Sequence, residues 1–328
     1  LPGIPAPEIH RLEVDASADG QPVVARLTRY RRSDSPTPPV LLIHGYRTSG
    51  TTFAHPDVDP CLASWLWERG HDVWVADLRT SIALDTAMAP WRFEDVALVD
   101  LPEMLAYMRE RMRAEKGAPG KIDVVAHCMG AAMLSMAVLR EPPDAPYAAD
   151  PDLDAPPCNP RLAAIRRELP NWLNKVVLTQ VGPVVTFAPA NVLRAYLMRW
   201  LRHYLPPGDY RFRIEGQPSA LDALLDRLLA TLPYPDAEHD LENPRCVTSR
   251  GRANFAATRH RMDALYGRDF SLSTMDARVL ARIDDIFGPP NLETVAQTLH
   301  FARNRMITDR AGRGGYLDSN RIRRRWTF

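Results

Sequence analysis

The chain has 328 residues, of which 45% are apolar and 25% charged, and its formal net charge is +1. That balance is ordinary for a globular protein and gives no reason to expect a nucleic acid or an anionic membrane as partner. No run of about 18 apolar residues exists, so no transmembrane helix is expected. The four cysteines, Cys61, Cys128, Cys158 and Cys246, have neither metal-ligand spacing nor a disulfide framework, which points to a reducing, cytoplasmic setting with no metal and no cofactor.

In chain order, Ile9 to Val14 and Val23 to Tyr30 alternate and flank Ser17-Ala-Asp-Gly-Gln21, the pattern of a hairpin. A Pro/Ser loop follows over residues 31–39. Val40-Leu-Leu-Ile43 is a buried strand that ends in His44-Gly45-Tyr46-Arg47. A helix from about Cys61 to Arg69 is stopped by Gly70, and His71 to Leu78 is the next strand. Trp91 to Lys116 carries Val96, Leu98, Val99, Met104, Leu105, Met108 and Met112 at helical spacing and ends at Gly117; Pro102 predicts a kink near its start or two helices in series. Lys121 to Ala126 is a short apolar strand, and Met129 to Leu139 is rich in helix formers. Three strands alternating with helices argue for a parallel, doubly wound sheet in an α/β fold.

The Pro-, Asp- and Ala-rich stretch from Glu141 to Pro160 reads as a surface insertion extending to about residue 170, and Lys175 to Gln180 as a further strand. Beyond residue 187 the period changes. Ala190 to Leu205, Ser219 to Leu232, Asn254 to Tyr266, Ala277 to Phe287 and Leu292 to Arg303 all look helical. The domain plan is therefore a core over 1–187, a large helical cap over 188–315, and the start of a returning core strand over 316–328.

The turn Ala126-His127-Cys128-Met129-Gly130 has the small-x-nucleophile-x-small pattern of a nucleophile elbow, with Cys where Ser is usual. Small residues are needed because side chains two positions either side of the bend would collide with the adjoining strand and helix. The bend also aims the N–H after the nucleophile at a developing oxyanion, and a thiol at a helix N-terminus ionises more readily. The alternative for Cys128 is a buried core thiol, since free Cys is among the most buried residue types.

Several stretches resemble the α/β-hydrolase domains found alone or fused to cholesterol-oxidase-like flavoproteins. They are Leu27-Thr-Arg-Tyr30, Pro39-Val-Leu-Leu-Ile-His-Gly45, Gly70-His-Asp-Val-Trp-Val-Ala-Asp-Leu-Arg79, Val124-Val-Ala-His-Cys-Met-Gly130, Leu265-Tyr-Gly-Arg268 and Arg303-Asn-Arg-Met-Ile-Thr-Asp-Arg-Ala-Gly312. A more distant likeness is to polyester synthases, which also place Cys in the elbow. The resemblance implies an α/β-hydrolase fold, acyl transfer through Cys128, an oxyanion hole from the backbone N–H groups of Tyr46 and Met129, and a lidded hydrophobic pocket for a small acyl substrate. One departure stands out. In the α/β-hydrolase order an acid and a His follow the cap, whereas here the sequence reaches Phe328 as the returning strand begins. The acid and base are then expected from chain beyond Phe328 or from a second polypeptide, or the scaffold works without them.

Other polar residues receive structural expectations. His44 shapes its loop rather than acting as base. His127 packs or supports the neighbouring nucleophile. Asp77 and Arg79 form an ion pair at a strand end. His260 and His300 belong to the cap, and Arg321, Arg323, Arg324 and Arg325 form a solvated segment. Two functions remain: a Cys-dependent acyl hydrolase or acyltransferase acting on a hydrophobic ester or thioester, and a non-catalytic hydrolase-fold subunit that binds a hydrophobic ligand or a partner chain.

Overall fold

The computed structural model describes residues 1, 3–17, 19–142, 159–187, 219–230, 282–288 and 292–317, with isolated positions at 192, 196, 261, 262, 278 and 279. Strand β1 (Glu8–Ala16) and strand β2 (Pro22–Tyr30) form the expected antiparallel hairpin. Strands β3 (Val40–Ile43), β4 (Val73–Asp77), β5 (Ile122–His127) and β6 (Leu173–Thr179) are mutually parallel, and β2 joins β4 antiparallel. The spatial order is β1-β2-β4-β3-β5-β6. From β3 the chain therefore crosses to β4 on one side, and it later returns to β5 on the other. That reversal opens a crevice at the carboxyl ends of β3 and β5, where open α/β sheets bind ligands.

Every residue of β3 and β4 is buried, because helices cover both faces. On one face Val40, Leu42, Val73 and Val75 meet Phe53 of helix α1 (Thr51–Ala54), Ala63 of helix α2 (Leu62–Glu68), and Cys61, the residue that caps α2. On the other, Leu41, Ile43, Trp74, Ala76, Val124 and Ala126 share a core with α4 (Leu101–Lys116) and α5 (Met129–Leu139). All eleven residues of α5 are buried, and its one polar side chain, Ser135, donates its hydroxyl to the Ala131 carbonyl.

The long helix predicted from Trp91 has three parts: α3 (Phe93–Asp95), a π-helical turn over Val96–Asp100, and α4. Pro102 has no N–H to give Leu98, and the N–H of Leu101 reaches back to Val96. The predicted kink is thus a wide turn just before the proline. Gly117, at φ 77°, closes α4 in the left-handed conformation.

The insertion expected up to residue 170 is corrected from residue 160 onward. Residues Pro160–Trp172 form helix α6, capped by Asn159, whose side chain accepts the Leu162 N–H at 2.7 Å. Its Leu162, Ala163, Ile165 and Leu169 are buried, and it carries the chain into β6. The rest of that insertion, 143–158, lies outside the described residues, as do Cys158 and Cys246. Helices form over Ala220–Ala230 and Leu292–Asn304, as the spacing predicts. The helices expected over 190–205 and 254–266 fall outside the described residues but for isolated positions, and His260, the four arginines at 321–325 and most of the 316–328 strand fall outside them entirely. Of the helix expected over 277–287, the described part includes a 3-10 turn, Ile283–Asp285. Among the described residues no helix is long and apolar enough to cross a membrane.

One tie between the segment after residue 291 and the core is a buried carboxylate, Glu94. Gln297 donates its amide to both Glu94 oxygens, at 2.9 and 3.0 Å, and Arg310 donates its backbone N–H at 2.9 Å. The N–H of Phe93 returns a hydrogen bond to Gln297 at 3.2 Å. Burial raises the Glu94 pKa to about 7, outweighing those hydrogen bonds. The unfolded chain ionises this group near 4.5, so between 4.5 and about 7 the folded state holds more protons and its stability falls as pH rises. Glu94→Gln should remove that pH dependence, which amounts to about 3 kcal/mol across the window. Urea denaturation of both proteins at mildly acidic and mildly alkaline pH measures it, and parallel pH dependences would place the titration elsewhere.

Candidate active site

Strands β3 and β5 lie side by side, with Ile43 opposite Ala126. The turns that follow them meet at Cys128. This residue sits between β5 and α5 at φ 52°, ψ −128°, a combination that L-residues adopt only under strain. Its N–H donates to the Thr179 carbonyl at 2.9 Å, and its carbonyl accepts the Ala131 N–H at 2.9 Å. One bond ties the bend to β6 and the other starts α5. The Cys128 thiol forms no disulfide, is half-buried, and packs against the edge of the main hydrophobic core.

Two glycines set how closely the turns approach. A Cβ on Gly45 would lie 2.8 Å from the Cys128 Cβ, and one on Gly130 would lie 2.3 Å from the His44 carbonyl oxygen. Ala126, the other small position of the elbow, is fully buried. The β3 turn therefore rests directly on the strained residue. Tyr46 follows Gly45 in that turn, and Met129 is the first residue of α5. The N-terminus of α5 adds a positive partial charge at this place.

The expectation for His44 holds. It is fully buried, its Nδ1 is 2.9 Å from the Gly45 carbonyl, and its Nε2 accepts the Leu78 N–H at 3.2 Å. Accepting at Nε2 leaves the proton on Nδ1, facing Gly45. Burial holds its pKa below the ordinary imidazole value, with Asp77 opposing. A neutral ring engaged at both nitrogens is a brace, not a base. His127 is half-buried, its pKa is lowered by burial, and its Nδ1 lies 2.8 Å from the Thr179 hydroxyl. Thr179 thus contacts both His127 and Cys128. Sequence reasoning missed it; the available signal was its place at the carboxyl end of the strand beside β5.

The expected Asp77–Arg79 ion pair is corrected. Asp77 accepts from Arg26 at 2.7 Å, from the Gly50 N–H at 2.8 Å and from the Ser81 hydroxyl at 2.7 Å. Burial opposes its ionisation, but Arg26 and the Gly50 and Ser81 donors hold its pKa below the usual value. Arg79 instead clasps Asp100 with two nitrogens and reaches Asp15 at 3.1 Å. Each residue found a closer partner on another element. His300 packs against Gly312, where a Cβ would come within 2.6 Å of its Nδ1. Among the described residues no group of three His, Cys, Asp or Glu is placed to hold a metal.

A family model described as the alpha/beta hydrolase fold matches residues 38–205. The chain belongs to that family. The match spans the parallel strands β3 to β6 and the strained β5–α5 bend, and begins after the β1–β2 hairpin. Over 114 residues the chain is 32% identical to triacylglycerol lipase 1 of Arabidopsis thaliana, an alignment that covers 32% of this chain and only 27% of that curated relative. Among solved structures, esterase 2 of Thermogutta terrifontis, phosphorylated by paraoxon, is similar with 17% identity and a TM-score of 0.34, covering 56% of this chain and 60% of that one. A thermostable carboxyl esterase of Bacillus coagulans, in complex with glycerol, shows 13% identity and a TM-score of 0.36 over 79% of this chain and 73% of that one.

The strain at position 128 is testable without any substrate. Glycine accepts positive φ without a Cβ clash, so Cys128→Gly should be more stable than Cys128→Ala by about 1 kcal/mol, the reverse of the ordinary order. Equilibrium denaturation decides this, and an alanine variant at least as stable would mean that the bend is unstrained. Gly130→Ala should cost about 1–3 kcal/mol by forcing the β3 turn outward, read the same way.

Proposed function

We propose that this hydrolase-fold chain is a cysteine-dependent acyl hydrolase or acyltransferase acting on a hydrophobic ester or thioester. The observation that carries this is the half-buried Cys128 thiol, held at positive φ on the first turn of a buried helix with the β3 turn packed against it. A strained, over-determined backbone at a crevice is what a nucleophile needs and what a packing thiol does not.

In this mechanism the Cys128 sulfur adds to the substrate carbonyl carbon. The carbonyl electron pair moves onto oxygen, and the N–H groups of Tyr46 and Met129 stabilise the resulting oxyanion. Collapse re-forms the carbonyl and expels the alcohol or thiol leaving group, which takes up a proton. Water or another acceptor then attacks the acyl-thioester and regenerates the thiol. A thioester exchanges with thiols at nearly equal energy, so the acceptor is a thiol as readily as water. His44, engaged at both nitrogens, is not the base; the acid and histidine that would complete a triad are supplied from outside the described residues. The 188–315 region acts as the helical cap over the acyl chain. The Ala-His-Cys-Met-Gly elbow favours the group of hydrolase domains found alone or fused to cholesterol-oxidase-like flavoproteins, with polyester synthases as more distant kin. The name of the plant relative, a triacylglycerol lipase, is consistent with an ester substrate.

Purified protein should turn over short- and medium-chain acyl p-nitrophenyl esters or acyl-CoAs. Iodoacetamide and Cys128→Ala should each cut that rate at least a hundredfold. Full turnover after both treatments would eliminate Cys128 as nucleophile. No turnover by the untreated protein, with an unreactive Cys128, would favour a hydrolase-fold subunit that binds a hydrophobic ligand or a partner chain.

A further inference from the structure

The loop after β3 is held by residues more than two hundred positions away. The Arg47 carbonyl accepts the Gly288 N–H at 2.8 Å. Ser49 and Thr51 donate their hydroxyls to the Asp285 carbonyl, at 3.3 and 2.7 Å. Thr294, fully buried, donates its hydroxyl to the Tyr46 phenol oxygen at 3.0 Å. From below, the Arg47 guanidinium donates to the Ala87 carbonyl at 2.6 Å, and Ile82 donates its N–H to the Thr48 carbonyl at 3.2 Å. Residues 46–51 are thus clamped between two layers.

The clamp has a job that its chemistry explains. Arg47 is 1% exposed and stands at φ 51°, a conformation costly for a long side chain. The peptide plane between Gly45 and Tyr46 is aimed by this same short turn. A strained turn of this kind persists only where its surroundings over-determine it. The Gly288 contact is also intimate, since a Cβ there would lie 2.3 Å from Ile82. The upper layer therefore cannot shift without moving the turn.

We infer that residues 282–288 together with Thr294 form a brace that sets the direction of the Tyr46 N–H, and that Thr294 is a positioning residue for the oxyanion. This rests on the proposed role of Tyr46. Thr294 touches no reacting atom; it acts through the tyrosine hydroxyl, which pins the ring and, through it, the backbone of the turn.

The test compares Thr294→Val with Thr294→Ser. Valine keeps the shape and loses the donor, whereas serine keeps the donor. In Thr294→Val, kcat should fall about tenfold while KM stays within about twofold, as expected when a positioned donor is loosened rather than removed. The rate of Cys128 alkylation by iodoacetamide should not change, and amide exchange across residues 45–48 should quicken. Thr294→Ser should restore both kcat and slow exchange. Wild-type kcat or wild-type exchange in Thr294→Val overturns the brace, as does a loss confined to KM or a serine variant as impaired as the valine one. If Cys128→Ala keeps full turnover, the catalytic role of Tyr46 falls on its own. The brace is then decided by exchange alone.

Discussion

The carboxyl end of the sheet depends on how closely the turn after β3 can approach the turn after β5. With no Cβ at Gly45 or Gly130, the two backbones come into van der Waals contact, and Cys128 is left no room to relax from positive φ. The strain is confined by bonds of ordinary strength on either side, to Thr179 and to Ala131. The backbone bend fixes where this thiol starts, and its side chain packs against the edge of the core. That is why it stays at a partly open crevice inside an otherwise closed core.

Charge in the surrounding core is arranged for rigidity. Asp77 serves Arg26, Gly50 and Ser81, which fixes the start of α1 to the end of β4. Arg79 and Asp100 join the exit of β4 to the π-helical turn, and Arg29 joins β2 to Asp72 and Glu115 while lying over Trp74. Removing one partner from such a buried pair leaves a charge without compensation and costs more than the pair itself contributes. His44 avoids that problem by staying neutral. Its two nitrogens satisfy one acceptor and one donor, so it stiffens the turn beside the thiol without adding a charge there.

The core was legible where local pattern and burial agree. Val40-Leu-Leu-Ile43 is apolar at every position because both its faces are covered, and the hairpin alternates because one of its faces is not. The tight bend at Cys128 was legible because steric demand writes itself into small residues at fixed offsets. Helix α6 was hidden by the Pro- and Asp-rich run before it and by Pro170 within it, although Asn159-Pro160 is a cap followed by a first-turn proline. The partners of Asp77 and Arg79 could not be read, because nothing near them in the chain names Arg26 or Asp100. Thr179, Gly288 and Thr294 are ordinary residues in ordinary surroundings, and only distant contacts give them a role.

Those distant contacts also bear on the order in which the molecule becomes itself. The described strands are all encoded before residue 180, and chains leave the ribosome from the N-terminus at roughly 5–20 residues per second. The strands and the bend at Cys128 are therefore synthesised before residues 282–294, and the core they share with Phe301, Ile307 and Tyr316 closes only afterwards. Until Gly288 and Thr294 arrive, the turn after β3 lacks its outer layer. The turn after β3 thus receives its outer contacts last, seconds after the strands beside it have been made.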